Sequence, residues 1–158
     1  MDLALIALVI VVGTALAKVF FRCPRHPIFE VDAKDPEMRA AMMKARAEIE
    51  HFITVVQEGQ GATASVKVPI SENGRTEHFW INDLTYQKDE FSGLIDNDPQ
   101  MVTSVCAGQR VKVNKADISD WLYFNSDGRM VGNYTLRVLL HRMPSEQAQD
   151  LKRELQWV

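Results

Sequence analysis

The chain has 158 residues, a length that fits a single domain. Hydrophobic residues make up 46% of it and charged residues 25%, a composition that excludes wholesale disorder. The formal net charge is only −3 and no basic stripe is present, so a nucleic-acid partner is not expected.

Cysteine and histidine are too few and too scattered to predict a metal centre. The two cysteines, Cys23 and Cys106, are far apart, which indicates neither a disulfide framework nor a zinc site built from cysteine alone. The four histidines show no HxH or HExxH spacing. We therefore expect no metal and no cofactor.

The first segment in chain order predicts a membrane anchor. From Leu3 to Ala17 no residue carries a charge, and the apolar character continues to Phe21. A helix over residues 3–21 would be about 28 Å long, which nearly matches the hydrocarbon core of a bilayer. We therefore expect this segment to contact lipid as a transmembrane helix.

The charges beside this segment predict its orientation. Lys18, Arg22 and Arg25 follow the apolar run and no basic residue precedes it, so the positive-inside rule makes the C-terminal domain of a single-pass protein cytoplasmic. The alternative is a secretory signal cleaved at Ala17, which would leave a periplasmic domain. The predicted divisions are an anchor or uncleaved signal over residues 1–22, a tether over 23–35 and a soluble α+β domain over 36–158.

A long amphipathic helix is predicted to open the soluble domain. Asp35 is a good N-cap, and Pro36 suits the first helical position. Apolar residues then recur at spacings of four and three, which indicates one buried face. These residues are Met38, Met42, Ala45, Ile49, Phe52 and Val56. Gly59 and Gly61 are expected to end the helix.

After this helix the hydrophobic pattern changes to the period of β strands. Alternate apolar residues from Ala64 to Ile70 predict the first strand, and Asn73-Gly74 is a strong hairpin signal. Five more strands are predicted, in TEHFWIND, FSGLI, QRVKVN, DWLYFN and RMVG. YTLRVLLHRM alternates like a strand but lacks a turn residue before Pro144, so its type stays open. SEQAQDLKREL predicts a short C-terminal helix. The expected α+β fold has the long helix packed on a bent antiparallel sheet or small barrel.

Six short segments follow one another in a distinctive order between about Ala62 and Leu140: VKVPI, EHFWIND, FSGLIDNDP, AGQRVKV, ISDW and GRMVGNYTLR. In this order the chain resembles the YegJ-like family of bacterial proteins, which is a domain of unknown function (2314). The resemblance implies a small α+β domain in exported or anchored bacterial proteins, so the predicted anchor would lie in the bacterial inner membrane. It implies no enzymatic activity, cofactor or catalytic residue. A looser likeness, in the style of the domain alone, connects it to immunity proteins encoded beside toxins.

Asp120 is the first candidate for chemistry. It precedes Trp121 on a predicted strand, and an acid held near an aromatic ring can have a raised pKa and donate a proton. Arg137 is the one charge inside an apolar run, and a guanidinium left unpaired there would cost several kcal/mol. We therefore interpret Asp120, Trp121 and Arg137 as a structural network in which Asp120 pairs with Arg137. The alternative is a small envelope-associated enzyme, hydrolase-like, that uses His78 and Asp120.

The segment from Asp83 to Gln100 predicts a surface for a protein partner. It carries five acidic residues against Lys88, so five negative charges and one positive charge give a net charge of −4. A local acidic cluster attracts a basic partner, and aromatic residues within it would anchor the contact. The predicted surface consists of Trp80, Asp83, Tyr86, Asp89, Glu90, Phe91, Asp96 and Asp98. The sequence thus predicts a membrane-tethered, non-catalytic domain that binds a protein, in its most concrete form an immunity-type inhibitor of a basic toxin.

Overall fold

The computed structural model describes residues 35–59 and 64–154. In these two ranges no helix is both long and apolar enough to cross a bilayer. The predicted anchor over residues 1–22 and nearly all of the tether over 23–35 lie outside the described residues.

The predicted opening helix is two helices, α1 (Pro36–Ala47) and α2 (Ile49–Gln57). Asp35 caps α1 as expected, because its Oδ1 accepts the backbone N–H groups of Glu37 and Met38 at 3.0 and 3.1 Å. The break lies at Glu48, whose carboxylate accepts the hydroxyl of Tyr134. Of the six residues predicted to form the buried face, Met42 and Val56 are only partly buried. The other four are buried: Met38, Ala45, Ile49 and Phe52.

Six strands form one open antiparallel sheet in the described part of the chain, in the order β4-β3-β2-β1-β5-β6. They are β1 (Ser65–Glu72), β2 (Arg75–Gln87), β3 (Glu90–Ile95), β4 (Arg110–Asn114), β5 (Asp120–Phe124) and β6 (Met130–Gly132). The sheet is therefore not the closed small barrel that was one of the two expectations.

Turns with positive φ set the register of the first three strands. Asn73 and Gly74 have φ values of 51° and 77°, which suits the predicted two-residue hairpin between β1 and β2. The register of β2 against β3 then shifts between Asn82 and Thr85, where Asp83 also has a positive φ of 51°. Opposite this bulge, a Cβ on Gly93 would lie 2.3 Å from the carbonyl oxygen of Asn82, so only glycine fits.

Two helices complete the fold, α3 (Tyr134–Arg142) and α4 (Ser145–Glu154). The segment whose type the sequence left open is thus mostly helical. On α3 the side chain of Arg137 lies on the exposed side, whereas Tyr134, Thr135 and Leu140 are buried.

The main core lies between one face of the sheet and the helices α1 and α2. Trp121 is fully buried, stacks on Phe52 with 5.1 Å between ring centroids, and donates its indole N–H to the carbonyl of Ala45 at 2.8 Å. The ring of Phe91 lies 5.8 Å from that of Phe52. These aromatic contacts fix β5 and β3 against the helices.

Gly132 provides a direct test of this packing. Its φ is +85°, and an added Cβ would lie 2.3 Å from the carbonyl oxygen of Trp121 and 2.6 Å from its ring. We expect Gly132→Ala to lower the free energy of unfolding by about 3 kcal/mol or more, because backbone strain and overpacking add. Urea denaturation would measure the loss.

Gly108→Ala is the matched control, because Gly108 also has a positive φ of +79° but has nothing within 4 Å of the added Cβ. It should lose only the cost of the backbone conformation, about 1–2 kcal/mol. Equal losses in the two variants would contradict the packing of Gly132 on Trp121.

Candidate functional site

The face of the sheet turned away from α1 and α2, here called the outer face, carries a group of polar side chains. Val66 and Val68 are buried in the core, so Lys67 between them points to the outer face. Lys67 pairs across the strands with Trp80 on β2 and with Asp120 on β5. We call the group around it the Lys67 cluster. It consists of Lys67, His78, Trp80, Ser119, Asp120 and Thr135.

Asp120 joins the sheet to the beginning of α3. Its Oδ1 accepts the backbone N–H groups of Trp121 at 2.9 Å and Tyr134 at 3.1 Å. Its Oδ2 accepts the backbone N–H and the hydroxyl of Thr135 at 2.7 and 2.6 Å. The helix has no side-chain cap from its own Asn133, so the carboxylate of Asp120 satisfies the N–H groups of its first turn.

Lys67 extends the network from the other side of Thr135. Its Nζ lies 3.4 Å from the Thr135 hydroxyl oxygen and 5.3 Å from the centre of the Trp80 ring. Burial lowers the pKa of Lys67, and the negative charge of Asp120 opposes this shift. Burial likewise raises the pKa of Asp120, against the opposing hydrogen bonds from Thr135 and the charge of Lys67.

His78 lies in the same cluster through Ser119. Its Nδ1 is 3.0 Å from the Ser119 hydroxyl oxygen, and that hydroxyl donates to the backbone carbonyl of Lys67 at 3.0 Å. Burial, with a smaller contribution from the positive charge of Lys67, lowers the pKa of His78 to about 4. The imidazole is therefore neutral near pH 7. Since Ser119 is only 1% exposed, its hydroxyl is poorly placed to attack a substrate.

Arg137 has a different environment from the one predicted. Because its segment is a helix, the guanidinium lies on an exposed face and does not need a buried acid. Its guanidinium donates to the carbonyl oxygen of Gly132 at 3.3 Å and lies 5.5 Å from the centre of the Tyr134 ring. The shown partners of Asp120 are α3 backbone groups and Thr135, so the two residues contact the same helix turn through different groups.

The residues of the predicted partner surface are not equally available. Phe91 is 0% exposed and belongs to the core, so its inclusion in that surface was wrong. Side chains alternate along β3, and Phe91 lies on the face that packs against the helices. The sequence around Gly93 does not indicate which face that is. Trp80, Tyr86 and Asp96 are partly buried. The four remaining residues are exposed: Asp83, Asp89, Glu90 and Asp98.

Two of these exposed acids already have cationic partners. Asp83 pairs with Arg110 at 2.6 Å, and Asp89 pairs with Lys115 at 2.9 Å. Lys115 also contacts Glu50 on α2 at 3.0 Å. β4 and the turn after it therefore neutralise part of the local charge that the sequence shows between Asp83 and Gln100.

The structural roles of two charged residues, Glu77 and Lys67, were not predicted from the sequence. Glu77 is buried and its carboxylate accepts backbone N–H groups from Gln100, Met101 and Val102, which holds the loop after β3 against the sheet. Lys67 was also missed, because nothing in the segment SVKVP indicates that its neighbour across the sheet is a buried acid. Strand register is the information that was lacking.

A solvent-open cavity of about 460 Å³ lies where the outer parts of β1 and β4 approach each other. Its lining combines apolar and charged side chains, from Arg46, Val68, Pro69, Ile70, Glu90, Lys112, Val113, Asn114 and Asp117. Because β2 and β3 lie between β1 and β4 in the sheet, this shared lining shows that the sheet curls strongly. Among the described residues, no three His, Cys, Asp or Glu side chains converge as metal ligands would.

Comparison with known proteins identifies similar sequences. A family model described as "Uncharacterized protein conserved in bacteria (DUF2314)" matches residues 35–156. "Uncharacterized protein YegJ" of Escherichia coli strain K12 is 45% identical over 118 residues, which cover 75% of this chain and 76% of that protein. A "Putative ankyrin repeat protein" of Neisseria meningitidis serogroup B is 34% identical over 88 residues, covering 53% of this chain and 34% of that protein. No solved structure matches.

Replacement of Asp120 by asparagine tests its role as a helix anchor. The asparagine amide has one oxygen in place of two, and its NH₂ group would face donors that the second carboxylate oxygen of Asp120 now accepts. Asp120→Asn should therefore lower the free energy of unfolding by about 2–3 kcal/mol. Asp117→Asn, an exposed change three residues away, should stay within about 0.5 kcal/mol. Thermal and urea unfolding would measure both, and an unchanged Asp120→Asn protein would refute the anchor.

The stability of the protein should fall in mild acid because of His78. Its pKa is about 4 in the folded protein against 6.5 in the unfolded chain, so the unfolded state binds more protons between these values. Stability is therefore lost as the pH falls from 6.5 to 4, by at most about 3 kcal/mol. Urea denaturation of the wild type and of His78→Asn would give the free energy of unfolding of each at several pH values in this range, and the difference between the two should change by that amount. If the two plots of unfolding free energy against pH run parallel, His78 is not buried in its neutral form.

Proposed function

This chain belongs to the DUF2314 family of bacterial proteins, and from this premise we propose that it is a membrane-tethered domain that binds a protein partner and has no covalent chemistry of its own. The observation that most directly supports this proposal is the environment of Asp120. Its carboxylate is 0% exposed, and its oxygens accept four hydrogen bonds from the scaffold. An acid used in this way is a structural cap, so the strongest acid–base candidate in the sequence is committed to holding α3.

The hydrolase-like alternative depends on His78 and Asp120 acting together. Both lie on the outer face, linked through Ser119 and Lys67, and their pKa values are shifted by burial. A catalytic pair must also reach a substrate. The burial of Ser119 and Asp120 argues against such access and favours a polar network that fixes the register of β1, β2 and β5.

The binding surface is best assigned to the exposed acids that remain unneutralised. Asp83 and Asp89 pair with cations, whereas the described part of the chain shows no ion pair for Glu90 or Asp98. Tyr86, which donates to Asp89 at 3.1 Å, is a partly buried aromatic group close to Glu90, whereas Asp98 lies in the loop beyond the other end of β3. A rim of this kind selects partners and accelerates encounter more than it adds affinity.

An immunity-type inhibitor of a basic toxin remains the most concrete form of this proposal. The internal pairs reduce the attraction to a basic partner, so shape and strand contacts must contribute more than the sequence alone suggests. The predicted anchor over residues 3–21 would place the domain beside the inner membrane and raise its local concentration there.

Charge reversal at Glu90 and Asp98 tests the surface. The full-length chain, tagged at its C terminus and cross-linked in native membranes, should co-purify a partner protein. The double change Glu90→Lys with Asp98→Lys should reduce the amount captured about tenfold or more, because close charge pairs at interfaces contribute about 1.5 kcal/mol or more. Quantitative mass spectrometry of the cross-linked material would measure the loss.

Asp127→Lys is the matched control, because Asp127 is an exposed acid in the turn between β5 and β6, near the opposite edge of the sheet. Capture by this variant should equal that of the wild type, and both variants should retain the wild-type melting temperature. Full capture by the Glu90 and Asp98 variant would remove these acids from the interface.

A further inference from the structure

The cavity between β1 and β4 is bordered by two open strand edges. β4 is the last strand of the described sheet, so only one of its edges is paired, with β3. β1 pairs with β5 only at Ser65, Val66 and Lys67, although the strand continues to Glu72. In the described part of the chain, Val68, Pro69 and Ile70 therefore have no strand on that side, and they line the same cavity as Lys112, Val113 and Asn114 of β4.

The hydrogen-bonding direction of each strand follows from its known bonds. Gln109 accepts the N–H of Ile95, and Lys115 donates to Asp89, so odd-numbered residues of β4 point toward β3. The N–H groups of Lys112 and Asn114 then point away from β3, toward the open edge. On β1, Lys67 accepts the N–H of Ser119, so Pro69 and Ser71 point toward the unpaired side.

Pro69 fits an open edge. It is exposed and has no N–H, and proline in a sheet is confined to positions whose N–H direction has no ladder partner. Its carbonyl still provides an acceptor on the β5 side, beyond the last residue of β1 that pairs with β5. The β1 edge therefore offers the carbonyl of Pro69 and both backbone groups of Ser71, while the β4 edge offers the N–H and carbonyl groups of Lys112 and Asn114. Two edges of this kind can both pair with one extended chain placed between them.

The side chains around the cavity define what such a chain would carry. Val68, Ile70 and Val113 form an apolar side that belongs to or borders the core. Lys112 and Glu90 are exposed on the outer face, and the described residues provide no ion pair for either of them. An inserted strand with apolar residues facing inward and charges facing outward would match this alternation, with an acid opposite Lys112 and a base near Glu90.

We propose that this cavity is a docking slot in which an extended segment of a protein partner, alternating apolar and charged residues, inserts between β4 and the outer half of β1 and pairs with both edges. The inference rests on the proposed function and specifies its mode of recognition. A second copy of this chain is the weaker occupant, because antiparallel pairing of two β4 strands would bring basic residues of β4 opposite one another.

A short peptide of this chemistry tests the slot. We would titrate acetyl-Lys-Val-Glu-Val-Glu-amide into the ¹⁵N-labelled full-length protein in detergent micelles. When the peptide runs antiparallel to β4, its central acid lies opposite Lys112 and its lysine lies near Glu90. The amide signals of Lys112 and Asn114 should shift and saturate. The reversed peptide, which has the same composition, should bind at least about threefold more weakly, because its terminal acid meets Glu90.

Two substitutions at one position separate backbone pairing from charge. Lys112→Pro removes the outward N–H without removing a bond to β3, and it should weaken peptide binding about tenfold or more. Lys112→Ala keeps the N–H and removes only the charge, so its loss should be smaller. Amide exchange provides a readout that needs no variant: exchange at Lys112 and Asn114 should slow when peptide is added to the wild type.

Several results would overturn the slot. They are equal binding by the wild type and a folded Lys112→Pro protein, shifts confined to other parts of the chain, or amide exchange at Lys112 and Asn114 unchanged by saturating peptide. A dimer that Lys112→Pro abolishes, without peptide binding, would make a second copy the occupant and would also overturn it. If the peptide fails while the Glu90 and Asp98 variant still loses its partner, the proposed function stands and only this mode of recognition is wrong.

Discussion

The fold depends on one buried carboxylate. Asp120 begins β5 and accepts the N–H groups that open α3, so a single side chain holds a helix to the sheet. Its neighbour Trp121 points to the opposite face and packs against Phe52 and the backbone of α1. Two adjacent residues thereby fix three layers in position. Because it is costly to leave a buried carboxylate unsatisfied, loss of the α3 turn would also destabilise the start of β5.

This arrangement explains why polar residues that look catalytic can serve the scaffold instead. Lys67, His78 and Ser119 extend the contacts of Asp120 across the outer face, and each has a defined partner in the network. Burial shifts the pKa values of Lys67 and His78 toward their neutral forms, which also lowers the cost of keeping these two side chains inside. The groups that we propose for recognition are at the other end of the sheet, around β4, where an open strand edge lies beside charges for which the described residues show no ion pair.

Local signals in the sequence predicted much of the fold. The cap at Asp35, the alternation along β1 and the Asn73-Gly74 turn each depend on neighbouring residues, and each was confirmed. The nature of α3 was not predicted, because its alternating apolar residues satisfy a strand as well as a helix, and only its contact with Asp120 decides between them. The role of Lys67 and the burial of Phe91 require strand register, which arises from pairing between distant segments. The family resemblance was confirmed and gave the class of fold but no site.

The most direct measurement of the central claim is amide hydrogen exchange at Tyr134 and Thr135 in the wild-type full-length protein. If Asp120 holds the first turn of α3 as part of the core, these two amides should exchange only through global unfolding, with the same protection as the indole N–H of Trp121, which donates to the carbonyl of Ala45. Exchange at rates close to those of an unstructured chain, while Trp121 stays protected, would show that the carboxylate is not committed to the helix and would contradict the account.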